Sequence, residues 1–159
     1  LYFVNTSSGT LSRLIDAAAV VRVSPKVFLA GPYDPLAGSM ADDLRSNGLV
    51  PTLEPYTALG YKRVAKGGGE QVTPAVLAVS GTNAVVDWVR VELRSVAYPS
   101  MTVATCQGLV QRDGDVVAAD GVSPLTFRVG PGTYHVAVLH RNHLGCMIRN
   151  IWWRRSFGF

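Results

Sequence analysis

At 159 residues, 48% apolar and only 16% charged, the chain is long enough to bury a core without disulfide or metal staples. Its net charge of +4 resembles a nucleic-acid signature until the charges are located: Arg149, Arg154 and Arg155 lie at one end, and Lys62, Arg63 and Lys66 surround a glycine run. No basic stripe with interleaved aromatics results, and no apolar run is long enough for a membrane-spanning helix, so nucleic-acid binding and a transmembrane segment are excluded as readings.

The chain begins Leu1-Tyr2-Phe3, with no initiator Met and no charged leader, which reads as a removed leader or a fragment. Residues 1–23 form an N-terminal extension. Leu11, Leu14, Ile15, Ala18 and Ala19 recur at helical steps, while Val20, Val21 and Val23 favour extension, so helix and donor strand compete there. Lys26 to Ala30 predicts a strand, stopped by Gly31-Pro32-Tyr33-Asp34-Pro35. Ser39-Met40-Ala41-Asp42 has the form of a capping box and predicts a short helix through Leu44. Residues 47–70, with Asn47-Gly48, Pro51, Pro55, Gly60 and Gly67-Gly68-Gly69, predict a long turn-rich loop, the first place to look for a surface site.

From Val76 the pattern is strand after strand. Val76 to Val79 predicts one. Val85 to Arg94 predicts a half-buried one, with Val85, Asp87, Val89, Val91 and Leu93 facing the core and Val86, Trp88, Arg90, Glu92 and Arg94 the other way. Met101–Gln111, Val116–Val117, Leu125–Val129 and Thr133–His140 follow, separated by Asp113-Gly114, Asp120-Gly121 and Gly130-Pro131-Gly132 turns. Turns about every ten residues, with no long helix between strands, predict a mostly β antiparallel sandwich over residues 24–147. The segment Val85 to Val91 resembles the central strand of an immunoglobulin-like domain, with Trp88 as the inter-sheet plug. Tyr134, after Pro131-Gly132-Thr133, resembles a tyrosine corner bonding back to upstream backbone, and His135 beside it is read as half-exposed. Residues 148–159 form a basic, aromatic C-terminal extension in which Trp152 and Trp153 beside Arg154 and Arg155 suit an interface.

Several blocks in order carry a family resemblance. They are Val27 to Asp34, Glu54-Pro55-Tyr56-Thr57-Ala58-Leu59-Gly60-Tyr61, Asp87 to Arg94, Gln111 to Val117 and His140-Arg141-Asn142-His143-Leu144-Gly145. Over about four-fifths of its length the chain resembles a domain of large secreted or cell-surface multidomain proteins of Bacteroidetes-type bacteria, adhesin- or hemagglutinin-like. The resemblance implies an extracellular, surface-associated setting and supplies no activity. Ala118 and Ala119 depart from it, standing where relatives tend to carry a further acidic residue.

Three groups of side chains are candidate sites. His140 and His143 invite a metal-dependent hydrolase reading, short of a third ligand; the plainer reading has Arg141 and Asn142 clamping the turn through backbone bonds while His140 caps the strand. Asp113, Asp115 and Asp120 invite a loosely held calcium ion against plain turn formation. Tyr33, Tyr56 and Tyr61, in or beside the long loop, are candidates for sugar stacking. No motif for a nucleophile, phosphate cradle or carboxylate pair is present. Cys106 and Cys146 allow one disulfide or two free thiols. The expectation is a non-catalytic structural or adhesive module without cofactor, partnered by copies of itself or neighbouring domains and joined by strand addition. A carbohydrate-binding module is the alternative.

Overall fold

The computed structural model describes residues 2–4, 11–13, 20–65 and 67–153. In chain order it contains β1 (Tyr2–Val4), β2 (Leu11–Arg13), β3 (Val21–Val23), β4 (Tyr33–Asp34), β5 (Ser39–Met40), α1 (Asp43–Ser46), α2 (Pro74–Leu77), a 3-10 turn (Gly81–Asn83), β6 (Val85–Ser95), β7 (Thr102–Gln111), β8 (Val116–Val117), β9 (Leu125–Phe127), β10 (Gly132–His140) and β11 (His143–Trp153). The fold is mostly β and its sheets are antiparallel.

The main sheet runs β11-β10-β6-β7-β8, so β6 lies at its centre. Val- and Leu-rich β6 has nine consecutive buried residues, from Val85 to Leu93. One face packs Val89, Val91 and Leu93 against Val21 and Val23 of β3 and Leu125 and Phe127 of β9, which pair with each other. The other face packs Val85 and Trp88 with Leu109 against Val50, Tyr56 and Val72. Trp88 is therefore covered by the irregular segment after α1 and not by a second sheet. Its indole donates to the Pro51 carbonyl at 2.8 Å, and the Tyr56 hydroxyl donates to the carbonyl of Trp88 at 2.9 Å.

The expected facing of β6 needs correction at its start. A register shift in the β6–β7 ladder between Val85 and Asp87 is a bulge, which sends Val85 to the Trp88 side and Val86 to the β3–β9 side. Nor is β6 half-buried: Arg90, which donates to the Lys62 carbonyl, and Glu92, which binds Arg90 and Arg94, are both buried. His135 is 3% exposed, not half-exposed.

Three local expectations also change. Val76–Val79 is no strand; the Thr73 hydroxyl accepts from the Val76 amide, and Pro74 opens the single turn α2. Lys26–Ala30 forms no regular strand, only a bridge from Lys26 to Asp115. Ser39 and Met40 pair with Tyr33 and Asp34 as a hairpin, and α1 starts at Asp43 without a side-chain cap, because the Asp42 carboxylate binds Arg45.

The described residues of 47–70 are irregular as expected, apart from a bridge at Leu53, and the Tyr134 hydroxyl donates to the Gly130 carbonyl at 2.8 Å. At the N-terminus Leu11–Arg13 is strand, paired with Tyr2–Val4; residues 14–19 lie outside the described residues. Ile148 to Trp153 continue β11. The side chains of Trp152 and Trp153, and Arg154 and Arg155, lie outside the described residues.

Cys106 and Cys146 are free thiols. Register puts them in one row across the sheet, Cys106 to Val91 to Val138 to Cys146, three strand spacings apart. That is about 14 Å at the usual strand separation, well beyond disulfide reach.

Candidate histidine–aspartate site

The β10–β11 hairpin turns through Arg141 and Asn142, which places His140 and His143 opposite each other at its tip. The bulge at the start of β6 brings Asp87 beneath them. In the sequence Asp87 stands out as the lone carboxylate in an otherwise apolar set, a signal that located a member of this cluster without identifying its partners.

Backbone donors fix the tautomers of both histidines. The Asn142 amide donates to Nδ1 of His140 at 3.1 Å, so that nitrogen is an acceptor and the ring proton sits on Nε2, facing Asp87 Oδ2 at 3.1 Å. The Gly31 amide points at Nε2 of His143 at 3.4 Å, leaving the His143 proton on Nδ1, where it meets Nδ1 of His140 at 2.8 Å. The result is a directed chain from Gly31 through two neutral imidazoles to a carboxylate.

Arg141 closes the chain. Its guanidinium donates to Oδ1 of Asp87 at 2.9 Å and to Oδ2 at 2.7 Å, and the Trp88 amide adds a bond to Oδ1. Burial opposes ionisation of Asp87, but the bonds from His140, Trp88 and Arg141 outweigh it and hold the carboxyl below its ordinary range. Burial, together with the neighbouring His140, pushes the His143 imidazole down, with Asp87 pulling the other way.

The cluster borders a cleft of about 280 Å³ whose walls include Leu29, Pro32, Asp43 and Leu44. Each ring nitrogen has a hydrogen-bond partner, so the group ties the hairpin tip to β6 and to Gly31. The expected turn clamp is corrected in detail: the Arg141 guanidinium goes to the buried carboxylate instead of to backbone, and Asn142 uses its own amide on the ring of His140. A carboxylate in low dielectric is the stronger acceptor for a guanidinium.

The other candidates are dispersed. Asp113 accepts the Asp115 amide, Asp115 pairs with Lys26 at 2.9 Å, and Asp120 accepts the amides of Val122 and Ser123. The Asp113 and Asp120 oxygens tie their own turns, where Gly114 and Gly121 supply positive φ, and Asp115 ties its turn to Lys26. Among the described residues no three His, Cys, Asp or Glu group as metal ligands. Tyr56 is fully buried and offers no stacking face, which removes it as a sugar ligand. Tyr61 meets Tyr56 edge-on and lies under the Arg90 guanidinium. Tyr33 keeps an exposed part and leans on Phe28, ring centres 4.8 Å apart.

A second polar group has no counterpart among the sequence-derived candidates. Arg90 and Glu92 form a buried pair at 2.7 Å, Arg94 joins Glu92 at 2.8 Å, and Thr102 donates to the same carboxylate. Burial opposes the charge on Glu92, and the two guanidiniums more than offset it, holding its pKa down. In the loop, Glu54 binds Thr57 and the Gly69 amide, and Glu70 accepts from the Gly68 amide at 3.0 Å and the Gln107 amide at 3.4 Å. The alternation Arg90-Val91-Glu92-Leu93-Arg94 carried the signal, but it reads equally as a solvated face. Against known proteins, no family model, curated protein or solved structure matches this chain significantly.

Proposed function

We propose that this chain is a non-catalytic structural or adhesive module of an extracellular or cell-surface assembly, joined to copies of itself or to neighbouring domains by strand addition. The observation that carries the reading is the edge at β11. Among the described residues, this eleven-residue strand pairs only with β10, and it presents Leu144, 99% exposed, with Cys146 and Ile148 also exposed. A long edge with free backbone groups and apolar side chains is a template for another strand. The histidine cluster supports the non-catalytic half of the reading, because its nitrogens and carboxylate oxygens are spent on one another.

The secreted adhesin-like setting comes from the sequence resemblance and stands as part of the same proposal. So does the immunoglobulin-like form of the sandwich, supported by the Tyr134–Gly130 corner and by β3–β9 lying across one face of the sheet. The candidate donor lies within residues 1–20, where Tyr2–Val4 and Leu11–Arg13 pair with each other and must separate to add to β11, while Val21–Val23 pair with β9.

Light scattering over a concentration series tests this. Intact protein is expected to grow in mass with concentration, while the double substitution Leu144→Lys, Ile148→Lys keeps it monomeric by charging the edge. Deletion of residues 1–20 is expected to do the same. Concentration-independent monomer in the intact protein overturns the reading. A carbohydrate-binding module remains the second reading, favoured by the exposed Phe28–Tyr33 pair.

A further inference from the structure

The polar face of β6 and β7 contains atoms that the protein itself does not satisfy. Glu70 Oε2, Arg90 Nη1 and both side-chain polar atoms of Gln107 are buried without a hydrogen-bond partner among the described residues. Arg90 is 3% exposed and Gln107 1%. They are direct cross-strand partners, so their side chains rise from the same face of the sheet as neighbours. Glu70 stands at the β7 edge beside them: its Oε1 accepts the Gln107 backbone amide at 3.4 Å, and its carboxyl also neighbours the Cys106 thiol, whose side chain points to the opposite face. The orphaned Arg90 and Gln107 atoms on one face, with Glu70 Oε2 at the adjoining strand edge, call for an occupant, because each buried polar group left unpaired costs about 1–3 kcal/mol.

The atoms specify what that occupant is. Arg90 Nη1 and Gln107 Nε2 are donors and need an acceptor; Gln107 Oε1 and an ionised Glu70 Oε2 are acceptors and need a donor. A cation is opposed by the guanidinium. An anion is opposed by Glu70, with Glu54 and Glu92 on the same side of the sheet. Size is limited by the loop. A Cβ on Gly67 would lie 1.6 Å from the carbonyl oxygen of Thr105, so the loop backbone rests directly on the strand. The occupant is small, neutral, and both donor and acceptor.

We infer that residues 62–65 and 67–70 close over an internal hydration site, in which one or two long-lived water molecules bridge Arg90, Gln107 and Glu70. The site belongs to a seal along β7. Beyond the short pairing with β8, the Thr105 amide donates to the Val64 carbonyl and the Gln107 amide to Glu70, so this stretch of edge is capped by the loop. The water completes that cap from the side-chain direction.

Water-oxygen magnetic relaxation dispersion on the intact protein tests the site, compared with Gln107→Met, which removes two of the four atoms at similar volume. The intact protein is expected to show a long-lived internal fraction, and Gln107→Met to lose at least one water from it. Equal amplitudes in the two proteins overturn the inference. So does an intact protein with no long-lived water, a result that needs no variant. Excess broadening of the chloride resonance that disappears in Gln107→Met assigns the site to an anion and overturns it as well.

Discussion

The two faces of β6 are buried equally and held differently. On one, Val89, Val91 and Leu93 meet β3 and β9, an apolar contact in which each side chain contributes through its own burial. On the other, beyond Trp88, Arg90 and Glu92 are buried and are stable only because they satisfy each other, Arg94, Thr102 and the Lys62 carbonyl. The first face tolerates the loss of a group in proportion to its size. The second is conditional, because removing one partner strands another.

The largest expected effect follows from that contrast. Glu92→Leu leaves the Arg90 guanidinium buried without its carboxylate and is expected to cost about 3–5 kcal/mol in denaturant unfolding. Adding Arg90→Met to it removes the stranded charge and is expected to recover most of the loss. On the apolar face Leu93→Ala is expected to cost about 2–5 kcal/mol through transfer and cavity terms, with no second substitution able to rescue it by charge removal. A Glu92→Leu cost below about 1 kcal/mol, the level of an exposed ion pair, means that water reaches the polar face and the contrast fails.

The same contrast separates what the sequence showed from what it hid. The strands from Val85 to His140, and the turns between them, were legible because apolar alternation and Asp-Gly or Pro-Gly punctuation are local signals. The burial of Arg90 and Glu92 was not, since a charged alternating face looks the same whether water or a loop covers it; only the tertiary placement of residues 54–70 decides. Trp88 was found as a large core residue, but what covers it was misjudged for the same reason. Val76–Val79 departs from its local pattern because Thr73 and Pro74, just upstream, start a helical turn that overrides the β preference of valine. The site showed a similar split. His140, Arg141, Asn142 and His143 are adjacent in sequence and stood out as a cluster, whereas Asp87, which organises them, is 53 residues from His140 and required the β6–β10 pairing and the bulge to join them.

An intermediate effect is expected in the pH dependence. His143 is depressed below its ordinary 6.5, so the stability it lends is present above that value and is lost as pH falls through its folded pKa. The charged or titratable groups facing it across the cleft are His140, Asp87 with its Arg141, and Asp43. Asp87 and Glu92, held below 3.8 and 4.5, lose their contributions only at lower pH. Thermal unfolding across pH is therefore expected to decline in two stages, a shallow one setting in below about 6.5 and a steep one in the acid range. His143→Gln is expected to flatten the first and leave the second. A wild-type curve that is flat from pH 7 to 5 contradicts the neutral-imidazole chain.

The smallest effect sharpens the comparison most, because it runs in the opposite direction. Burial raises the Glu70 carboxyl above 4.5, with backbone bonds from Gly68 and Gln107 offsetting this only in part. A raised carboxyl contributes its stability below the unfolded value and loses it as pH climbs through the folded one, so wild-type protein carries a cost at neutral pH that an uncharged side chain avoids. Glu70→Gln keeps an oxygen for the Gly68 and Gln107 amides. It is expected to match wild type or exceed it by up to about 1 kcal/mol at neutral pH, the size of one net hydrogen bond, with the two curves converging below pH 4.5. The reverse outcome, Glu70→Gln less stable at neutral pH, means that the Glu70 charge is held by a partner as firmly as that of Glu92. The polar face is then an ion-pair lattice throughout, and the seal over β7 is electrostatic instead of hydrated.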